Sequence, residues 1–302
     1  MSVLITGASG LLGAHIATAL VREHVVGVDR HPWWGDKPLE MAQGDLLSEA
    51  FVTEAVCRVA PSVVIHCAAL VDVDACERQP EVAEAYNARM TRTLVRAAGP
   101  EALFIYITTD GIFQGDRAFS TETDEPKPRT VYGWSKLHGE QEVQAAGDNH
   151  LIIRTNFYGW SSGRKRTSAE WLYRALATGE AVTGFTDFHF TPIYVVDLVE
   201  RLLVLMKSPH RGIFHLCGAE RVSKYEFAVR LAAAAGLPMT SLRAGSIESA
   251  SLLAPRPKDM SLSCDRFCKT TGLDVPNCNA GLRRFVADRD RSLAQRFEHG
   301  AR

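Results

Sequence analysis

Val3-Leu4-Ile5-Thr6-Gly7-Ala8-Ser9-Gly10-Leu11-Leu12-Gly13 is the stretch on which the fold turns. A short apolar run breaks into a glycine turn, after which Leu12, Ile16 and Leu20 recur at helical spacing. Strand, glycine turn and helix in that order aim backbone N–H groups and the positive end of a helix at a phosphate. Glycine lets a pyrophosphate approach where a Cβ would stand in its way. The spacing is G-x-x-G-x-x-G, a variant of the G-x-G-x-x-G dinucleotide fingerprint. A lone glycine turn also serves plain strand-to-helix packing. Its position ahead of a well-placed second strand selects the dinucleotide reading and makes Gly7, Ser9, Gly10, Leu11, Leu12 and Gly13 candidate cofactor contacts.

Moving outward, a second strand from His24 to Val28 ends at Asp29, about 20 residues beyond the first glycine, where a carboxylate accepts from an adenosine ribose. Asp29 argues for NAD, whereas Arg30 beside it could face a 2′-phosphate, so NADP stays open. Trp33 and Trp34 follow in a loop and could cover the adenine or pack on the surface. Gly44-Asp45-Leu46 closes a third strand, with Asp45 placed to accept from the adenine amino group and Leu46 beside it. Ser48 opens a helix with Phe51, Val52, Ala55, Val56 and Val59 inward. Ser62-Val63-Val64-Ile65-His66-Cys67 is apolar enough for a strand buried on both faces, and the small Ala68 and Ala69 at its end leave room for a nicotinamide ribose. One long helix to about Ala98 is expected next, carrying Asn87. Further strands follow at Leu103–Ile107, ending in Thr108-Thr109-Asp110, and at Leu151–Arg154. This alternation predicts an α/β fold, a Rossmann-type doubly wound parallel sheet. Ligands then bind beyond the carboxyl ends of its strands.

Val131-Tyr132-Gly133-Trp134-Ser135-Lys136 puts a phenol and an ammonium four residues apart, on one face of a helix. A free tyrosine has a pKa of about 10 and needs a nearby positive charge to work near neutrality. A charge at roughly 4 Å with an effective dielectric near 20 contributes about 4 kcal/mol, or about three pKa units towards tyrosinate. Lys136 is expected to supply it. Thr109, at the end of the fifth strand, falls near Tyr132, and its hydroxyl can donate to a carbonyl oxygen that Tyr132 protonates.

Beyond Asn156 the regular alternation ends, which predicts a smaller C-terminal substrate-binding lobe. We assign residues 1–157 to a dinucleotide-binding domain with a returning segment at about 195–217, residues 158–194 and 218–290 to the lobe, and 291–302 to a frayed tail. Arg164-Lys165-Arg166 and the extended Pro255-Arg256-Pro257-Lys258 could meet phosphates or solvent. A helix is expected over about 168–177 and another over Asp197–Met206. Ser223-Lys224-Tyr225-Glu226 is a capping box opening a helix that ends at Gly236-Leu237-Pro238.

The 302 residues are 46% hydrophobic and 23% charged with a formal net charge of −1, a globular composition without electrostatic attraction to nucleic acid or anionic membrane. No basic leader or membrane-length apolar run is read, so a cytoplasmic protein is expected. Seven cysteines without framework spacing fit reduced thiols. Cys264 and Cys268 have no second Cys/His pair nearby, and no metal site is expected.

Taken together, these residues resemble the extended short-chain dehydrogenase/reductases to about residue 290. The resemblance rests on Thr6 to Gly13, Gly44-Asp45-Leu46, Ala68-Ala69, Asn87, Thr109, and Tyr132 with Lys136. Within that superfamily the chain is most similar to the dTDP-4-dehydrorhamnose reductase branch, through Thr108-Thr109-Asp110-Gly111-Ile112-Phe113, Val131 to Glu140, and Arg256-Pro257. The resemblance implies NAD or NADP as hydride donor, Thr109, Tyr132 and Lys136 as catalytic residues, and a nucleotide-linked 4-keto sugar contacted by Val71, Asp110, Asn156 and Arg256. A homodimer is left open. The branch usually has tyrosine where this chain has Gly111, which removes a wall near the sugar. Sugar-nucleotide 4,6-dehydratases carry a second acid there, and Gly111 argues against that reaction. Two rivals share the motifs: an epimerase that retains NAD, and a cofactor-binding regulatory subunit of the kind represented by the methionine adenosyltransferase beta subunits.

Overall fold

The computed structural model describes residues 1–161 and 166–298. β1 (Ser2–Thr6) leads through the glycine turn into α1 (Leu11–Ala19), and β2 (His24–Asp29), β3 (Glu40–Gln43), α2 (Glu49–Val59) and β4 (Val63–His66) follow. After α3 (Val73–Arg78), α4 (Pro80–Glu84) and α5 (Met90–Ala98) come β5 (Leu103–Thr109), α6 (Val131–Ala145) and β6 (His150–Thr155). A seventh strand arrives from far along the chain: beyond β7 (Phe157–Tyr158), α7 (Ser168–Thr178), β8 (Val182–Phe185), β9 (His189–Phe190), β10 (Ile193–Tyr194) and α8 (Val195–Lys207), β11 (Gly212–His215) pairs with β6. The sheet order is β11-β6-β5-β4-β1-β2-β3, and every pairing in it is parallel.

Alternate side chains of these strands feed two cores, as the period of two requires. Val3, Ile5, Ile65, Ile105 and Ile153 meet Ile16 of α1 and Leu198 and Leu202 of α8. Leu4, Val64, Phe104 and Ile152 meet Val52 and Val56 of α2, Leu94 of α5 and Val143 of α6. Helices thus cover both faces, which makes the sheet doubly wound. Ser48 caps α2 by accepting from the Phe51 N–H, and Thr130 caps α6 by accepting from the Gly133 N–H, fixing where the Tyr132 helix begins.

The single helix expected before Ala98 is broken twice. Pro80 has no N–H to continue α3, so the chain turns at Gln79 and restarts with proline in the first turn of α4. Residues Ala85–Arg89 then widen into a π turn around Asn87. The Asn87 carbonyl there accepts from the hydroxyls of Thr91 (2.9 Å) and Tyr106 (3.1 Å).

After β11 come β12 (Val222–Ser223), α9 (Lys224–Ala235), β13 (Leu242–Gly245), β14 (Asp259–Met260), α10 (Asp265–Thr271) and α11 (Cys278–Ala287). The capping box at Ser223 and Glu226 is complete, and Gly236 ends α9 in the left-handed conformation with φ +63°. Trp160 stacks on Phe285 with centroids 4.3 Å apart, and Tyr158 meets Phe227 and Phe285 edge-on. Cys264, one turn before Cys268, packs its sulfur on that of Cys217 at 2.8 Å beside Leu262.

Residues 291–298, expected as a frayed tail, are instead docked, and 299–302 lie outside the described residues. Leu293 is buried, the Ala294 N–H donates to Asp36, and the buried Arg296 donates to the Trp160 carbonyl and to His15 Nε2, each at 3.2 Å. Burial pushes His15 down to about 3, so its ring is neutral: Nδ1–H donates to the Leu11 carbonyl and Nε2 accepts from Arg296.

Candidate active site

The glycine turn brings Gly7 against the end of β4. Gly7 has φ +67°, and a Cβ there would lie 2.8 Å from the Ala68 nitrogen, so a side chain is excluded on both counts. A Cβ on Gly13 would overlap the Gly7 carbonyl, which makes Gly13 a packing glycine beneath the turn. The resulting crevice encloses about 340 Å³. Of the expected cofactor residues, Gly7, Gly10, Asp29, Arg30, Asp45, Leu46, Ala68 and Ala69 line it, joined by His31, Cys67, Tyr86 and Met90. Leu12 is buried in the core, Ser9 contributes its N–H to Asp29 at 2.9 Å, and Leu11 packs towards Gly159. Both Asp29 oxygens already accept backbone N–H groups, from Ser9 and from His31. Arg30 donates to the Tyr86 hydroxyl at 2.9 Å and lies over its ring. Neither Trp33 nor Trp34 lines the crevice; their indole N–H groups close the loop on the carbonyls of Lys37 and Ser9.

Thr109, Tyr132 and Lys136 stand where β5 ends and α6 begins. The Thr109 hydroxyl donates to Asp110 Oδ1 at 3.0 Å and accepts the Gly111 N–H at 3.0 Å. Burial pushes the phenol of Tyr132 above its ordinary value, and contact with the Thr109 hydroxyl works in the opposite direction. The charge that further raises it belongs to Asp110. Lys136 does not produce the expected fall. Its ammonium donates to the Ile107 carbonyl at 2.9 Å and lies 4.1 Å over the Tyr106 ring. Burial lowers Lys136 to about 7, opposed by the charge of Glu140 one turn on. Asn87, expected near the site, has its amide fully engaged: Oδ1 accepts from the Leu70 N–H, and Nδ2 donates to the Leu70 carbonyl and to Ser135 Oγ. It therefore fixes the Ala69–Leu70 turn against α6.

On the other side of Thr109, Asn156 Nδ2 donates to Asp110 Oδ2 at 2.7 Å. Burial raises Asp110 to about 6 against the pull of its bonds to Asn156 and Thr109. Val71 is exposed in the loop before α3. Arg256 is tied up: it forms an ion pair with Asp74 at 3.0 Å and donates to the Ala254 carbonyl, clamping the lobe to α3. Arg164 and Lys165 lie outside the described residues, and Arg166 is exposed. At Gly111 a Cβ would meet Thr109 Oγ1 at 3.3 Å and Met260 Cε at 3.5 Å, so a first side-chain atom is nearly accommodated and the missing wall is not enforced by the backbone around it.

Sequence reasoning passed over one residue here. Lys224 was absorbed into a capping box, yet it lines a second cavity, of about 240 Å³, that begins at Asn156. Its ammonium sits 3.3 Å from the centroid of Phe190.

Residues 1–291 match the RmlD substrate binding domain family. The chain belongs to that family. Among relatives of this chain, the "Probable low-salt glycan biosynthesis reductase Agl14" of Haloferax volcanii is 32% identical over 291 residues, covering 93% of this chain and 96% of that protein. The methionine adenosyltransferase 2 subunit beta of Danio rerio is 31% identical, covering 90% of this chain and 85% of its own. Among solved structures, a dTDP-4-dehydrorhamnose reductase from Bacillus anthracis in complex with NADP superimposes with a TM-score of 0.82 at 27% identity, covering 95% of this chain and 98% of that one. The proteins this chain is similar to thus include some named as reductases and one named as an adenosyltransferase subunit. Among the described residues no helix is long and apolar enough to cross a membrane.

Proposed function

We propose that the protein is an NAD(P)-dependent reductase of the short-chain dehydrogenase/reductase class that acts on a nucleoside-diphosphate 4-keto-deoxysugar. The observation that carries this reading is the meeting of Thr109, at the end of β5, with Tyr132 and Lys136, at the start of α6, beside a glycine-turn crevice in which Gly7 leaves no room for a Cβ. A reduced nicotinamide bound in that crevice supplies hydride to a carbonyl carbon. Tyr132 donates a proton to the carbonyl oxygen, and its raised pKa suits this direction, because a buried phenol keeps its proton at neutral pH. Thr109, by turning its O–H from Asp110, would polarise the same oxygen, and Lys136 would hold the ribose hydroxyls. Residues 158–194 and 218–290 form the lobe that receives the sugar nucleotide. Similarity to the NADP-bound reductase supports the cofactor class.

NADH and NADPH offered in parallel with dTDP-4-dehydro-6-deoxy sugars test the reading; stoichiometric oxidation of either cofactor is expected. Conversion of the sugar without net oxidation would indicate an epimerase instead. Arg30 favours NADP, since it lines the crevice while both oxygens of its neighbour Asp29 accept N–H groups. Arg30→Ala is expected to raise KM for NADPH about tenfold, the worth of one charge-assisted bond to a phosphate, and to leave KM for NADH within about twofold. Equal changes for the two would remove Arg30 from cofactor choice.

The beta subunit similarity favours a second reading, a cofactor-binding regulatory subunit. In that case turnover is absent and the function read at a protein partner is indifferent to Tyr132.

A further inference from the structure

The cavity that begins at Asn156 is walled by aromatic rings, Phe157, Trp171, Phe188 and Phe190 among them. At about 240 Å³ it is smaller than pockets that enclose a whole drug-sized ligand, so it receives part of a larger one. Its inner end abuts the catalytic group, since Asn156 also holds Asp110 next to Thr109.

Among the described residues the one cation in this lining is Lys224, in the first turn of α9. Neighbouring basic side chains are already paired: Arg221 with Asp259 at 2.7 Å, Arg230 with Glu220 at 3.1 Å, Lys258 with Glu248, and Arg256 with Asp74 of α3 at 3.0 Å. Its backbone N–H donates to the Phe188 carbonyl at 3.0 Å, but among the described residues its ammonium has no hydrogen bond and no ion pair. It rests on the face of Phe190, 3.3 Å from the centroid, and within 5.1 Å of that of Phe188. A ring face compensates an ammonium only in part, and the three N–H donors remain to be satisfied. The opposing charge that acts on it is Asp110, whose oxygens are taken by Asn156 and Thr109. Burial accordingly lowers Lys224 to about 8.

We propose that Lys224 is the residue that fixes a phosphate of the substrate, with the attached nucleoside lying among Phe157, Trp171 and Phe188. This rests on the sugar-nucleotide reading above and names its anion contact, in place of Arg256. An aromatic-walled pocket with a single unpaired ammonium matches a ligand that joins a flat base to a diphosphate. The ammonium supplies the charge-assisted bond and the rings supply the stacking surface.

Isothermal titration of the full chain with dTDP, UDP, thymidine and inorganic pyrophosphate tests the assignment on wild type, Lys224→Met and Lys224→Arg, with thermal denaturation to verify that each variant folds. Lys224→Met keeps an unbranched side chain over Phe190. It is expected to weaken dTDP or UDP about 10- to 100-fold while leaving thymidine unchanged, and Lys224→Arg is expected to restore much of the loss. Unchanged affinity in Lys224→Met, or pyrophosphate binding as tightly as dTDP, overturns the proposal. The outcomes separate from those of the reaction itself. Turnover of a keto sugar with a diphosphate affinity indifferent to Lys224 sinks this assignment and leaves the reductase standing. Lys224-dependent binding without any turnover does the reverse.

Discussion

Tyr132→Phe lowers carbonyl reduction by about a hundred- to ten-thousand-fold and leaves NADPH affinity unchanged, the range associated with removing a positioned general acid. The substitution deletes one hydroxyl from a half-buried ring and leaves Thr130 to cap α6, so the fold is expected to survive. Burial makes the prediction sharper. A phenol held above its ordinary pKa carries its proton throughout the neutral range, so the wild-type rate of reduction should not depend on titration of Tyr132 below about pH 10. Initial rates with saturating NADPH, alongside cofactor titration by fluorescence, separate the two effects. A variant that retains more than a tenth of wild-type turnover would falsify the assignment of Tyr132 as donor.

Glu140→Ala is expected to destabilise the protein by about 3–5 kcal/mol, a fall in Tm on the order of 10 °C. Glu140 accepts from Arg154 Nε and Nη2 at 2.8–3.3 Å, and both side chains are almost wholly buried. Removing the carboxylate leaves the guanidinium 5.4 Å from the centre of the Phe113 ring, with the charge of Glu122 acting on it from farther off. The double variant Glu140→Met with Arg154→Met should recover much of the loss, because apolar replacements of buried pairs are often tolerated. Loss of Glu140 also removes the charge that supports Lys136, so Lys136 should shed its proton below its present value of about 7. Calorimetry and the pH dependence of cofactor binding check the two parts. A Glu140→Ala protein as stable as wild type would mean that the pair contributes nothing net.

The sheet was legible because its signals are local. Continuous apolar runs, glycine at the first turn and the caps at Ser48 and Ser223 each act within a few residues, and the strands and helices they announce are present. What escaped depends on distant partners. The π turn at Asn87 is held by Thr91 and by Tyr106 from β5, and nothing in its own sequence marks it. Residues 291–298 read as a tail because Ala294 and Arg296 meet partners 258 and 281 residues earlier in sequence. At the site, the crevice lining was read from strand ends, whereas the effect of Lys136 on Tyr132 was misjudged. Helical spacing fixes a shared face but not where a four-carbon side chain points, and Lys136 points to the Ile107 carbonyl. Lys224 was missed because the cap formed by its neighbours is a sufficient explanation of the local sequence.

The long excursion between β6 and β11 bears on how the chain is made. β6 is buried along its entire length in the finished sheet, yet its outer partner is synthesised about 60 residues later, some 3–12 s at ordinary elongation rates. During that interval a nascent chain on the ribosome carries His150–Thr155 as an open, apolar edge, the kind of template on which strands from other chains nucleate. Chaperone demand should therefore rise in this window, and stalling between Thr155 and Gly212 should favour aggregation.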